Sequence, residues 1–353
     1  MRTSRWIPAG VAIVVVAAGT VAIPLAANAA PSIAPMTAKQ VIELVENSTT
    51  RSFSGTLETS SDLGLPSLPS IPGASTASSS DTAGVSSILS LLSSPQKVRV
   101  YVDGKSKERV QVLTSLAEQD VIRNGTDLWQ YDSKKNAVTH ATLQSRTAPA
   151  PATTAPTATL TPSQLADSLL ARLDSTTSTS VGTTKQVAGR DTYTLILKPK
   201  ATDTLIGSVS ISVDAKTGLP LAVDATARGQ HDVALGIAFT SVSFSTPSAS
   251  LFDFTPPKGA TVTEQKAQPK SATPAKGTGT KPTVVGSGWD AVVETTAAGT
   301  SALTSQKLFS ELTSPVNGGR VIHTSLANVL ITTDGRVLAG SVSVDRLLAV
   351  AGQ

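Results

Sequence analysis

The sequence predicts an α+β protein in which one curled antiparallel sheet is covered by helices, with a small α+β appendage at the C-terminus. Between Asp191 and Phe244, apolar and polar residues alternate in several successive stretches, as in strands with one buried face. Near Ser241 the apolar set moves by one position, which indicates a β-bulge or a strand that curls. Because a sheet with one apolar face needs a cover, we expect helices elsewhere in the chain to pack on it.

The N-terminus has the features of an export signal. Arg2 and Arg5 precede an apolar stretch at 7–25, and small residues at 27–29 suit a signal peptidase. We therefore expect residues 1–29 to be a signal peptide and the mature protein to lie outside the cytoplasmic membrane. The alternative is an uncleaved N-terminal anchor that retains the protein at the membrane. The chain has no cysteine, so it has neither a thiol to acylate nor a disulfide framework.

Two short helices are predicted as covers for the sheet. Thr37 and Gln40 have the spacing of a capping box, and an apolar stripe follows them. Thr161 and Gln164 repeat the box, with Pro162 at the first helical position.

A long insertion at 61–95 separates the first predicted strand from the next. Its first part is rich in Pro and Ser, and four apolar residues then recur at helical spacing. These residues are Val85, Ile88, Leu89 and Leu92. Long loops with an apolar face of their own are often lids, so we take the four residues as lid candidates. An ordinary packing segment explains them equally well.

Strands then alternate with turns in two blocks. From Lys97 to Tyr131 the alternation predicts four strands, and Asn124 with Gly125 predicts a hairpin. After the second predicted helix, the central meander places Leu195, Leu197, Ile211 and Val213 on its apolar face, together with Phe239 in a later strand.

Composition changes after the central meander. The stretch 265–282 is rich in Lys, Pro, Thr and Gly, which is typical of a linker. We expect one domain at 30–264 and the small appendage at 283–353, where a strand pair around Asp334 and Gly335 and a last helix from Val344 to Ala351 are predicted.

Charge and composition argue against nucleic acid as a partner. The net charge is +4 and aromatic residues make up 3% of the chain. The basic residues are scattered and stacking platforms are few, so nucleic-acid binding is not expected. A weak attraction to anionic lipid or wall polymer at the membrane surface fits the same charge.

No catalytic, metal-binding or cofactor-binding pattern is present in the sequence. His140, His231 and His323 lie far apart, without a carboxylate partner at ligand spacing. The chain lacks a G-x-S-x-G elbow, and Asp214 is explained as a turn residue. We therefore predict a protein that is not an enzyme and that uses no metal or cofactor; an exported hydrolase is the least favoured hypothesis.

Several short motifs together resemble the LolA-like superfamily of lipoprotein carriers and RseB-type (MucB-type) sigma-factor regulators. They are Phe53-Ser54-Gly55, Val121 to Gly125 with Leu128 to Tyr131, Tyr193 to Leu195, Ile211 to Asp214 with Thr217 to Pro220, and Phe252 to Phe254. The resemblance covers about 37–262 and implies an unclosed β-barrel whose concave apolar face, under helices, accommodates acyl chains. One departure is Ser94 before Pro95, where the carriers have an Arg that holds the lid shut.

The resemblance implies a binding protein that takes up a lipid, a lipopeptide or the acyl chain of a lipoprotein. Candidate residues for the wall of its cavity are Trp129, Leu195, Leu197, Ile211, Val213 and Phe239. The competing explanation for all six is a solid core. A second hypothesis is a regulatory module that binds a membrane-anchored anti-sigma factor or sensor, which the linker and the appendage favour.

Overall fold

The structure, a computed structural model, describes residues 33–64, 96–114, 117–143, 161–265, 282–296 and 312–352. The predicted signal peptide, the four lid candidates and most of the linker lie outside these residues. Within the described ranges, no helix has the length and apolar character needed to cross a membrane.

The α-helices of the described residues are α1 (Ala38–Glu46), α2 (Pro162–Leu170) and α3 (Val344–Ala351). The strands that precede α2 are β1 (Ser52–Ser61), β2 (Lys97–Asp103), β3 (Lys107–Leu113), β4 (Glu118–Asn124), β5 (Asp127–Asp132) and β6 (Ala137–Thr142). Those that follow it in the same sheet are β7 (Thr177–Val181), β8 (Lys185–Val187), β9 (Arg190–Pro199), β10 (Ile206–Asp214), β11 (Pro220–Ala227), β12 (Val233–Ser243) and β13 (Thr261–Gln265). The C-terminal sheet contains β14 (Thr283–Val285), β15 (Val292–Thr296), β16 (Ser314–Val316), β17 (Gly319–His323), β18 (Asn328–Thr332) and β19 (Arg336–Gly340).

The large sheet has thirteen strands in the order β13-β6-β5-β4-β3-β2-β1-β12-β11-β10-β9-β7, with β8 also paired to β9. Its pairs are antiparallel except for β13, which lies parallel to β6. Its two ends are different strands that do not pair with each other, so the sheet is unclosed.

A β-bulge lies at the predicted place in β12. Thr56 pairs with Ser241 and Leu57 pairs with Phe239, so Thr240 is the extra residue. Gly55 allows the close approach at this point, since a Cβ there would lie 2.4 Å from the Ser241 carbonyl oxygen. The predicted shift near Ser241 is thus confirmed as a bulge.

Both predicted capping boxes are confirmed. In α1 the Thr37 hydroxyl accepts a hydrogen bond from the Gln40 amide, and in α2 Thr161 and Gln164 make the same exchange. The apolar residues of both helices belong to the core under the large sheet, where Val41 and Ala166 are fully buried.

The C-terminal sheet is antiparallel and has its own small core. Leu330 and Leu338 pack with Leu347 of α3, and the predicted pairing of β18 with β19 and the predicted last helix are confirmed. This sheet also contacts the large one: the Leu205 amide donates to the Ser341 carbonyl at 2.7 Å, and the Ser325 amide donates to the Leu63 carbonyl at 3.0 Å.

Candidate ligand-binding face

One face of the large sheet, here called the inner face, carries the apolar residues of most strands. Strand register defines it: Leu57 pairs with Val98 on one side and with Phe239 on the other, and Ile211 pairs with Leu195. Residues that neighbour each other across strands point to the same side. The inner face therefore continues from β9 through β12 and β1 to β6, and the opposite side is called the outer face.

Five of the six predicted wall residues lie together on this face. Leu195, Leu197, Ile211 and Val213 are fully buried and Phe239 is 2% exposed. They share one core cluster with residues of α1 and α2, which cover this part of the sheet. We call the inner face of β1, β2 and β9 to β12 the closed region.

Polar contacts hold α1 in place over the closed region. The Tyr193 hydroxyl donates to the Ala34 carbonyl at 2.7 Å, and the Ser48 hydroxyl donates to the Thr217 carbonyl at 2.7 Å. Gly218 has a φ of +72°, and a Cβ there would lie 2.2 Å from the Leu44 carbonyl oxygen. The helix thus rests directly on the turn between β10 and β11, and this turn needs glycine.

Across β3 to β6 the inner face becomes less apolar and less buried. This part of the inner face is called the open region. One cross-strand row runs Val100, Val110, Val121, Gln130 and Thr139. Val100 is 0% and Val110 is 8% exposed, whereas the last three are only half-buried. Burial and apolar character thus decline together along the row.

A second cross-strand row, two residues nearer the β2–β3 turn, is also only half-buried. It runs Val102, Glu108, Arg123, Leu128 and Ala141, all half-buried. Among the described residues, the core cluster includes Val102 but does not extend to Leu128 or Ala141. α1 and α2 make their main contacts with β7, β9 and β11, so these two helices leave this end of the face less covered.

The boundary between the two regions lies at the first turn of α2. The Gln164 side chain donates to the Glu108 carboxylate at 3.1 Å. Burial raises the pKa of Glu108, and this effect outweighs the opposing hydrogen bond from Gln164 and the positive charge of Arg123. Glu108 is therefore easier to protonate than an ordinary glutamate.

Trp129, the sixth predicted wall residue, lies on the outer face. It stacks on His140 with ring centroids 3.9 Å apart, and it contacts Phe254 at 5.5 Å. All six residues of β5 are half-buried, so their burial does not alternate. Trp129 is thus not brought together with the other five residues.

His140 has two carboxylate partners, and neither lies at the local spacing that the sequence analysis considered. Its Nδ1 lies 2.8 Å from Glu264 and its Nε2 lies 3.1 Å from Asp127. Burial lowers the pKa of His140, but the hydrogen bonds with Glu264 and Asp127 outweigh it, so the pKa is raised. Glu264 is 124 positions away in sequence and reaches His140 only because β13 pairs with β6.

A second ionic cluster lies on the outer face of β3 and β4. Arg109 donates to Asp120 at 2.5 Å and to the Leu251 carbonyl at 3.2 Å. Asp120 is 2% exposed, and burial raises its pKa to about 6 despite the contact with Arg109. This ion pair fixes the segment after β12 against the outer face.

A polar cavity of about 270 Å³ lies beside Arg190 and Asp214. Arg190 donates two hydrogen bonds to Asp214, at 2.8 and 3.0 Å, and Thr217 donates to the same carboxylate. Asp214 is thus a turn residue, as predicted, and it has an arginine partner that the sequence did not indicate. In the parts of the chain that the structure describes, no cluster of three His or acidic residues could hold a metal.

Comparison with known proteins identifies a family for a central part of the chain. Residues 95–255 match the model of the family described as outer membrane lipoprotein carrier protein LolA. This segment spans β2 to the end of β12 and so includes strands of both the closed and the open region. No curated protein matches the chain.

Several solved structures are similar to the chain at low sequence identity. A chain of the MucA/MucB complex of Pseudomonas aeruginosa is 16% identical, with a TM-score of 0.45, covering 89% of this chain and 96% of that one. An uncharacterized conserved protein of Thermus thermophilus is 10% identical, with a TM-score of 0.36 and coverage of 65% and 99%. A LolA superfamily protein of Nitrosomonas europaea is 12% identical, with a TM-score of 0.25 and coverage of 62% and 99%. The family match over residues 95–255 shows that this segment of the chain is similar to the LolA family.

Proposed function

We propose that the protein is an exported binding protein, without enzymatic activity, that holds the acyl chain of a lipid, a lipopeptide or a lipoprotein on its inner face. One observation carries the proposal: the apolar inner face is sealed under α1 and α2 in the closed region but continues, half-buried, over the open region. Val112, Val121 and Leu128 are half-buried and offer apolar surface there. The family match supports this assignment, since that family is described as a lipoprotein carrier.

The two regions have different roles in this proposal. The side chains of Leu195, Leu197, Ile211, Val213 and Phe239 are already packed in the core. They can line a ligand cavity only if α1 or α2 moves away from the sheet, which is the role we propose for them. Ligand entry begins at the open region, and the four lid candidates are proposed to close over the bound chain.

Extraction of bound lipid tests the proposal. The mature protein is purified from its exported location, extracted with organic solvent and analysed by mass spectrometry. We expect a stoichiometric acyl species. Leu128→Asp should abolish it while the variant stays folded, because a carboxylate on a half-buried surface opposes an acyl chain.

The matched control is Val262→Asp. Val262 is 44% exposed and pairs with Val138 on the outer face, so the same kind of charge is placed on the other side of the sheet. This variant should retain the lipid. An empty extract from the unmodified protein, together with no binding of fluorescent fatty acyl probes, would contradict the proposal.

A regulatory function is the second candidate, favoured by the C-terminal sheet. A carrier needs no second sheet, yet Val342 of the C-terminal part forms a β-bridge with Thr204. The Ser325 amide also donates a hydrogen bond to the carbonyl of Leu63, at the start of the insertion. We infer that the pair of sheets could bind the extracytoplasmic segment of a membrane-anchored regulator. Affinity capture from membranes that recovers one single-pass regulator would support this function; recovery of lipoproteins alone would count against it.

Export is part of the same proposal. We expect cleavage after Ala29, so the first residue of the purified protein should be Ala30. N-terminal sequencing checks this, and an intact Met1 in the membrane fraction would indicate the uncleaved anchor instead.

A further inference from the structure

Arg123 lies on the inner face of the open region, at the end of β4 next to the β4–β5 turn. Its Nε donates to the Gly125 carbonyl at 3.3 Å. Among the described residues, no carboxylate oxygen lies within ion-pair distance of its guanidinium, whereas Arg109, Arg190 and Arg336 each have one. The inner face therefore presents a half-buried cation next to apolar surface.

Glu108, the residue across the strand from Arg123, makes no direct ion pair with it. Glu108 pairs with Arg123 in register, but its carboxylate accepts a hydrogen bond from Gln164 of α2. Burial raises the pKa of Glu108 and outweighs both this hydrogen bond and the attraction to the charge of Arg123.

Apolar side chains lie on both sides of Arg123 on the same face. Leu128 is its cross-strand neighbour in β5, and Val121 lies two residues before it in β4. Beyond Val121 the face becomes the continuous apolar surface of Val110 and Val100. A cation at one end of an apolar track is complementary to an amphiphile with an acidic head and a hydrocarbon tail.

We propose that Arg123 binds the anionic headgroup of an acidic lipid whose acyl chain lies along Val121, Leu128 and Val112. The inference rests on the proposed binding function and adds the ligand class and its orientation. The planar guanidinium can donate two parallel hydrogen bonds to a phosphate, and such bonds are stronger where water is partly excluded. Gln130, which is half-buried next to Val121, supplies a further polar group for the head.

The test uses the mature chain and two monomeric short-chain phospholipids of equal chain length, measured by isothermal titration calorimetry. Phosphatidylglycerol is anionic and phosphatidylcholine is zwitterionic. We expect phosphatidylglycerol to bind about tenfold more tightly or better, the size of effect that a charged hydrogen bond gives. Arg123→Gln should reduce its affinity to that of phosphatidylcholine.

Arg99→Gln is the matched control. Arg99 is exposed and lies on the outer face, where it pairs with Gln111. The substitution removes the same charge from the whole molecule, so it should leave both affinities within about twofold. Arg123→Lys keeps the charge but loses the planar pair of donors, so it should bind phosphatidylglycerol several-fold more weakly. This variant tests the headgroup site if Arg123→Gln does not fold.

The outcomes separate this inference from the proposed function. Equal affinity for both lipids, or no effect of Arg123→Lys, overturns the anionic headgroup site and leaves acyl binding intact. Failure of both lipids to bind overturns the proposed function itself. Glycerol phosphate is the third probe: if it binds as tightly as phosphatidylglycerol, the site recognises a free anion and the lipid assignment is wrong.

Discussion

The closed and open regions belong to the same sheet face and differ in how that face is covered. In the closed region, Leu195, Leu197 and Ile211 are fully buried beneath two short helices. In the open region, Val121 and Leu128 are half-buried and alternate along their strands with polar or charged neighbours on the same face. Among the residues that the structure describes, the apolar face thus extends beyond the two helices that cover it.

This difference separates residues that hold the fold together from residues available for a ligand. A side chain that is packed on all sides contributes to stability through burial and loses that contribution when it is truncated. A half-buried side chain contributes less to stability and retains surface that a ligand can cover. The two regions should therefore respond differently to the same substitution.

The largest expected effect comes from truncation in the closed region. Leu197→Ala should lower the free energy of unfolding by about 2 to 5 kcal/mol, because it leaves a cavity among fully packed neighbours. Leu128→Ala should cost about 1 kcal/mol, because the leucine is only half-buried. Urea denaturation of both variants measures the difference, and equal losses would contradict the division into two regions.

The next effect tests how α1 is held over the closed region. Gly218→Ala should cost about 2 kcal/mol, because its φ of +72° disfavours a side chain and the new Cβ would meet the Leu44 carbonyl. Gly125→Ala is the control in the open region: its φ is +64°, but no atom lies within 4 Å of the added Cβ. Its cost should be about 1 kcal/mol. Hydrogen exchange in α1 should increase only in Gly218→Ala; unchanged exchange there would show that the turn does not hold the helix.

Much of this fold could be predicted because its signals are local. The capping boxes of Thr37 and Thr161, the Asn124–Gly125 hairpin and the bulge next to Ser241 each depend on a few consecutive residues. Alternation also identified the apolar face of the central strands.

The candidate site could be predicted only in part, because alternation within a strand does not say which side of the sheet a residue faces. In β5 every residue is half-buried, so nothing in its pattern placed Trp129 on the outer face. The division into two regions depends on where α2 begins relative to β3. Glu264, one of the two partners of His140, comes from the parallel strand β13. Both are contacts between segments distant in sequence, which a residue pattern does not encode.

Mildly acidic pH should stabilise the folded protein, mainly through groups on the strands of the open region. Asp120 on β4 has a pKa raised to about 6, and the pKa values of His140 and Glu108 on β6 and β3 are also raised. A group whose pKa is higher in the folded state binds its proton more tightly there, so folding becomes more favourable as the pH falls through that pKa.

From pH 7.5 to pH 5, Asp120 alone should add about 1 kcal/mol to the free energy of unfolding. On β10, one of the strands of the closed region, Asp214 has the opposite shift. Burial is outweighed by hydrogen bonds from Arg190 and Thr217, so the pKa of Asp214 is lowered and its contribution to stability is lost only in stronger acid. Denaturation at both pH values measures the effect. Asp120→Asn should remove most of the gain, and an undiminished pH dependence in that variant would show that other groups are responsible.

The smallest effect tests the boundary between the regions. Thr161→Ala removes the cap of α2 and should cost about 1 kcal/mol. The same change should loosen the turn that carries Gln164, release Glu108 and speed hydrogen exchange in β3 and β4.

Thr37→Ala removes the identical cap from α1 at a similar cost. Because α1 makes its main contacts with β7 and β9, this control should leave exchange in β3 and β4 unchanged. If both variants had the same effect on these strands, the first turn of α2 would not be the boundary of the open region, and the half-buried surface of Val121 and Leu128 would need another explanation.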